Sequence, residues 1–267
     1  MRMQNVPVHK HNLRILLALP ALTAAVLAVT SARCRAAPCV FADQGEGRVA
    51  EIVDGRSFRL DDGREIKLAG IEAMTSDTEP LAAMIGHRDV ILRGEDDAPD
   101  RYGRQTAFVT LAGSETPVQR ELLAQGAALV TTDLTDRDCI GLLTAAEAEA
   151  RLAHRGVWGS AAIKSAESPD DILSAIGRFA VVEGKVLSVR QAAATTYLNF
   201  GSNWTRGFAV TIPRRVMPVL EAAGLTVKSL ENQRIRVRGW VESRGGASPG
   251  PRIEVTRMAQ IEILNSN

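Results

Sequence analysis

Arg234, Arg236 and Arg238 alternate along one short stretch that ends at Trp240, and they follow Tyr197-Leu198-Asn199-Phe200-Gly201, Trp204 and the pair Arg214-Arg215. Aromatic rings stack on bases and guanidinium groups neutralise phosphates, so this pairing on exposed strands is a chemistry for single-stranded nucleic acid. A plainer reading fits the same residues and is preferred. A period of two places Ile235 and Val237 in a core and turns the three arginines outward as a solvated face, while Leu198, Phe200 and Trp240 fill the interior. Other chemistries find less support. His87 and His154 stand apart with no Cys or His cluster at ligand spacing, which argues against zinc. Neither a glycine-rich phosphate loop nor a Gly-x-Ser-x-Gly elbow occurs.

The elements that must carry these groups read as strands first and helices later. The 267 residues suffice for two domains, and 45% hydrophobic, 24% charged residues with a net charge of +1 exclude a disordered or supercharged chain. Charge alone is silent on partners. From Gly47, Val49 and Ile52 introduce a strand, and Phe58 and Leu60 alternate with polar residues up to Asp62-Gly63. Ile66 and Leu68 alternate on the far side, so the spacing predicts a hairpin. A short helix near 79–85 and strands at 90–92 and 107–111 follow. Asp77 reads as the N-cap of that helix with Glu79 in its first turn, and Asp54-Gly55 as a turn capping its own backbone. Val118, Leu122 and Leu123, then Leu142, Leu143, Ala146 and Ala150, recur at helical spacing, and the second helix stops at His154-Arg155-Gly156. The polar segment from Ser160 looks like a linker. Beyond it, strands at 181–189, 195–200 and 208–212, a helix at 215–223, and strands at 235–241 and 253–255 give the layout of a five-stranded OB-like barrel.

At the N-terminus, Arg2, Lys10 and Arg14 precede the apolar run Ile15 to Val29, which carries Pro20 and gives way to small residues. That is the layout of a secretory signal peptide cleaved between Ala32 and Ala37, too short for a membrane span. The expected divisions are a signal peptide at 1–37, a mature N-terminal segment at 38–46, a first domain at 47–160, a linker at 161–176 and a second barrel at 177–267. The product is periplasmic or secreted, with no transmembrane span after cleavage. If Cys34 leaves with the signal, Cys39 and Cys139 remain as one pair, and export favours their disulfide over two buried thiols.

Five segments between Gly47 and Ser160 carry a family likeness. Val53-Asp54-Gly55-Arg56-Ser57-Phe58, Ile66 to Thr75, Asp100-Arg101-Tyr102-Gly103-Arg104, Ala124 to Val130 and the closing Ala148 to Trp158 resemble, in order, the motifs of the staphylococcal nuclease (thermonuclease) family. The resemblance implies an OB barrel with helices packed on one side, an α+β fold. In active members, it further implies, two aspartates hold Ca²⁺, a glutamate acts on the attacking water and two arginines neutralise the phosphate.

Here the first aspartate position is Arg56, the second is Glu72, the first arginine is Lys67, the glutamate is Thr75, and Arg104 alone is unchanged. Ca²⁺ takes six to eight oxygen ligands, largely from carboxylates, and a guanidinium at its seat repels it. Lys67 stays cationic without the planar fork that arginine offers a phosphate, and Thr75 is no base. Tyr102 and Arg104 read either as a stacked surface pair or as phosphate-binding groups. The expected protein is therefore an exported relative of the nucleases. It lacks, or is weak in, Ca²⁺-dependent phosphodiesterase activity and keeps a phosphate-binding, nucleic-acid-binding or structural role. The alternative is an active nuclease with a rearranged site. Ca²⁺ is expected only in that second case, the partners being nucleic acid, another phosphate-bearing ligand or unidentified proteins.

Overall fold

Asp62-Gly63, with Gly63 at φ 90°, closes the first hairpin of the computed structural model, which describes residues 39, 41–95, 98–159, 162–203, 206–243 and 250–264. The expected signal peptide, its cleavage site, Cys34 and Trp204 lie outside the described residues. A long, bulged strand β1 (Ala42–Asp54) is followed by β2 (Ser57–Leu60), β3 (Glu65–Leu68), β4 (Ile71–Ala73), helix α1 (Glu79–Ile85), β5 (Asp89–Gly94) and β6 (Gln105–Leu111). The first half of β1 pairs with β5 and its second half with β2. Antiparallel β2–β3, parallel β3–β6 and antiparallel β5–β6 ladders close the barrel. Alternation sends Phe58, Leu60, Ile66, Leu68, Val90, Leu92 and Val109 inside, all buried.

Helix α2 (Val118–Gln125), strand β7 (Ala128–Val130) and helix α3 (Arg137–Leu152) pack on that barrel, and β7 pairs with β4. Gly126 ends α2 in a left-handed conformation at φ 71°. A Cβ there would lie 2.2 Å from the carbonyl oxygen of Arg155, so only glycine lets the ends of α2 and α3 meet. Asp136 caps α3 by accepting from the Cys139 amide at 2.7 Å. In the same turn Cys139 forms a disulfide with Cys39, tying the chain before β1 to the helix.

The C-terminal half repeats the ladder order of the first barrel. Its elements are β8 (Ile163–Ser165), α4 (Pro169–Leu173), β9 (Phe179–Lys185), β10 (Ser188–Ala192), β11 (Thr195–Asn199) and β12 (Ala209–Pro213). Helix α5 (Met217–Ala222), β13 (Arg234–Ser243), β14 (Pro251–Glu254) and β15 (Ile261–Leu264) complete it. As β1–β5–β6–β3–β2 run antiparallel, antiparallel, parallel, antiparallel, so do β9–β13–β14–β12–β11. The circuit returns through β10, which pairs with β11 and continues the chain of β9, so the first strand of this OB-like unit is split at Val186-Leu187. Val182, Val186, Leu198, Phe200, Phe208, Val210, Ile235, Val237 and Ile253 fill its core.

Two expectations are corrected here. The segment expected as a linker holds β8, which extends the sheet as a parallel edge beside β9, and α4, whose Ile172 is buried. The arginine face of β13 is not solvated throughout. Arg234 is exposed, but Arg236 and Arg238 are 7% and 4% exposed, because that face of the strand meets carboxylates and helix α3 instead of water. Trp240, expected inside, is 49% exposed.

A third small core seals the seam between the halves, with Leu129, Ala150, Trp158, Phe179 and Val181 packed together. Across it Arg238 donates to Glu147 Oε1 at 3.0 Å, Glu147 Oε2 at 2.8 Å and the Val130 carbonyl at 3.1 Å. Glu147, fully buried, also accepts from the Val130 amide at 2.8 Å. Every polar atom of that carboxylate is thus used, which is what a buried charge requires. Among the described residues no helix is long and apolar enough to cross a membrane.

Candidate functional site

The turn from β1 to β2 delivers Arg56 to the mouth of the first barrel. Asp54 Oδ1 accepts from the Arg56 amide at 2.8 Å, so the aspartate closes its own turn, as the Asp-Gly step implies. Strand β4, held by β7 through the Glu72–Leu129 pairing, brings Glu72 beneath the guanidinium, and Arg56 Nη1 forms an ion pair with Glu72 Oε2. Both side chains are largely buried, at 16% and 11% exposure. Burial pushes the Glu72 carboxyl up from its ordinary value, against the pull of Arg56 and Lys67.

Lys67 projects from β3 beside this pair. Burial, and then the Arg56 guanidinium, hold its amine below the ordinary lysine value, with Arg104 adding to the effect and Asp133 and Glu72 opposing it. Its amine joins no hydrogen bond or ion pair among the described residues. Thr75 is exposed and its Oγ1 accepts from the Asp77 amide at 3.3 Å, while Asp77 Oδ1 accepts from the Glu79 amide at 3.0 Å. Asp77 therefore serves the start of α1 as expected, from one position before the N-cap residue, Thr78.

Arg104 is held by Asp100. Its Nε and Nη2 donate to Asp100 Oδ2 at 3.0 and 2.8 Å, while Oδ1 accepts from the Tyr102 and Arg104 amides at 2.8 and 3.1 Å. The side-chain bond with Arg104 is the main reason Asp100 is lowered to about 2. Tyr102 is 67% exposed, with the guanidinium carbons of Arg101 and Arg104 4.9 and 5.2 Å from its ring centroid. This is the stacked surface pair, one strand away from Lys67 across the parallel β3–β6 ladder.

The second barrel roofs the site. A cleft lobe of about 290 Å³ is lined by Glu72, Met74, Thr75, Lys164, Arg178 and Trp240 among others. Another of about 260 Å³ is lined by Arg56, Lys67, Glu72, Asp133, Trp240 and Arg257 among others. Glu72, Phe179 and Trp240 are common to both, so β13 forms a wall of the cleft in which Arg56, Lys67 and Glu72 lie. Phe179 meets Trp240 edge-on with centroids 6.1 Å apart and fixes its angle. Sequence reasoning missed Asp133, Arg257 and the placing of Trp240. Thr131-Thr132-Asp133 follows a three-residue strand too short for a periodic signal, and nothing local in a tryptophan reveals which barrel it faces.

The structure thus brings Arg56, Lys67 and Glu72 into one lobe of the cleft and Glu72 and Thr75 into the other, while Tyr102 and Arg104 line neither lobe. It does not bring Arg234, Arg236 and Arg238 there. Arg234 Nη2 lies 3.9 Å from Glu183, Arg236 donates to Glu183 and Glu262 at 2.7 and 2.6 Å, and Arg238 is committed to Glu147. Nor do the residues fit Ca²⁺. Among the described residues no three Asp, Glu, His or Cys side chains gather to hold a metal, and the carboxylate at the expected seat is bonded to a guanidinium.

Residues 75–160 match the model of a family described as staphylococcal nuclease homologue. That stretch holds the Asp100-to-Arg104 motif, begins at Thr75 and leaves out Arg56, Lys67 and Glu72. No curated protein matches the chain.

Proposed function

Starting from a chain whose first barrel is a staphylococcal-nuclease-like domain, we propose that it is an exported protein that has given up calcium-dependent phosphodiester hydrolysis and keeps the cleft as a binding site for small phosphate-bearing or other anionic ligands. One observation carries the reading: Arg56 and Glu72 form a buried ion pair where a metal-binding pair of carboxylates would be needed. Hydrolysis of a phosphodiester by such a fold needs a cation at the phosphate and a base for the water. Arg56 occupies the first place, and Thr75 supplies no base for the second. Among the described residues Lys67, Lys164, Arg178 and Arg257 face the cleft without a carboxylate partner, against one carboxylate without a cation, Asp133, and that excess favours an anion. The roof contributed by Trp240 favours a short ligand over a duplex. Export is supported by the Cys39–Cys139 disulfide, which persists in oxidising compartments.

The test is cleavage of labelled single- and double-stranded DNA and RNA by the purified chain, with Ca²⁺, with other divalent ions and with a chelator, beside an Arg56→Asp/Thr75→Glu double variant. No cleavage by the natural chain, with activity gained by the double variant, is the expected result. Metal-dependent cleavage by the natural chain that disappears in Arg104→Ala would sink the proposal.

A further inference from the structure

Lys67 is the one lysine of the lobe of about 260 Å³, and its amine has no hydrogen bond or ion pair among the described residues although charged groups surround it. Arg56 faces it from the β1–β2 turn, Glu72 from β4, Arg104 from the start of β6 and Asp133 from the loop after β7. Glu72 is taken up by Arg56. Across the lobe stand Trp240, Glu242, Glu254 and Arg257. Arg252 engages Glu242 at 2.9 Å and Arg215 lies 3.7 Å from Glu254, whereas among the described residues Arg257 gives its guanidinium only to the neutral Leu134 carbonyl, at 3.2 Å. Among the described residues the lobe therefore offers an unengaged amine, an aromatic wall and an unneutralised cation, with Asp133, bonded to the Thr131 hydroxyl, as the carboxylate left without a cation.

We propose that Lys67 is an amine nucleophile that forms a Schiff base with small aldehydes carrying an anionic group, the carbonyl meeting Lys67, the body lying against Trp240 and the anion meeting Arg257. An arginine at this position could not do this chemistry, because a guanidinium stays protonated. A partly desolvated lysine beside another cation is the recurring setting of imine-forming lysines. The nitrogen lone pair attacks the carbonyl carbon and the carbonyl pair moves to oxygen, which takes up a proton. The nitrogen then gives up a proton, the carbinol hydroxyl takes up a second one, and water leaves as the nitrogen lone pair forms the C=N bond of a protonated imine, with no outside oxidant or reductant. The inference goes beyond the loss of hydrolysis and stands on the surroundings of the amine.

The experiment is reductive labelling of the full chain by pyridoxal 5′-phosphate with cyanoborohydride at about pH 7.5, located by peptide mass spectrometry. Burial and the Arg56 guanidinium lower the pKa of the Lys67 amine and so raise its reactive fraction at that pH, and Lys67 is expected to label faster than Lys164, Lys185 and Lys228. Labelling of Lys67 no faster than of those three overturns the proposal. Pyridoxal without its phosphate is expected to label Lys67 more slowly, and equal labelling overturns the anionic requirement. Arg56→Gln removes the neighbouring cation and is expected to slow Lys67; an unchanged rate in a folded variant refutes the account. Should that variant fail to fold, the pH profile of the natural chain decides, since Lys67 must reach half its maximal rate below the ordinary lysine value of 10.5. Nucleic-acid cleavage would contradict the proposed function and leave this comparison standing.

Discussion

Replacing Arg238 by Met removes the guanidinium that joins β13 to α3 and β7. Arg238 and Glu147 have side-chain exposures of 5% and 0%, and the carboxylate would be left with the Val130 amide as its remaining partner. Three hydrogen bonds go with the arginine, two of them to a charged group. Breaking one side of a buried ion pair costs about 3–5 kcal/mol, mostly because the other charge stays behind unpaired. With a urea slope of about 2 kcal/mol per molar, the unfolding midpoint should fall by about 1.5–2.5 M. Trp158, packed in the seam, and Trp240, in the cleft wall two residues from Arg238, give fluorescence reporters of the transition. In the double variant Arg238→Met/Glu147→Gln the amide oxygen can still accept from Val130 and no charge is stranded, so more than half the loss should return. A cost below about 1 kcal/mol for Arg238→Met, or a double variant no more stable than the single, would refute the reasoning.

The disulfide gives a second handle. Cys39→Ser/Cys139→Ser releases a cross-link spanning 100 residues and should cost about 2–5 kcal/mol in urea unfolding, and adding reductant to the natural chain should reproduce the loss. Acid gives a third. Asp100 titrates at about 2 in the folded chain against an ordinary 3.8, so unfolding takes up a proton between these values. Its contribution to stability is complete above about pH 5 and is lost as pH falls through 3.8 towards 2. Melting temperatures of the natural chain and Asp100→Asn should therefore differ most near neutral pH and converge below about pH 2; a constant gap would contradict the assignment.

Much of the fold was legible because its signals are local. Asp62-Gly63 between alternating Phe58, Leu60, Ile66 and Leu68 could only be a hairpin, and the helical spacing of Leu142, Leu143, Ala146 and Ala150 placed α3. The pieces that escaped are short or depend on a distant partner. β4 and β7 have three residues each and exist because they pair with one another, and β8 is fixed by the edge of β9. β15 likewise takes its place from the strand it lies against, β13.

The arginine stripe shows why the site was less legible than the fold. Period-two alternation correctly put Ile235 and Val237 in the core and the three arginines on the opposite face, but it cannot say what that face meets. Glu183 on β9 and Glu262 on β15 flank β13 in the ladder, and Glu147 reaches it from a helix 91 residues earlier in the chain, so two of the three cations become internal. The same docking turns Trp240 from an expected core residue into a wall of the cleft in which Arg56, Lys67 and Glu72 lie. In the first barrel the substitutions were read one by one from the sequence, as a lost carboxylate, a lost base and a weakened phosphate contact. Their joint consequence needed the geometry. Arg56 and Glu72 satisfy each other, which leaves Lys67 an amine without a partner among the described residues, under a roof that the second barrel helps to form.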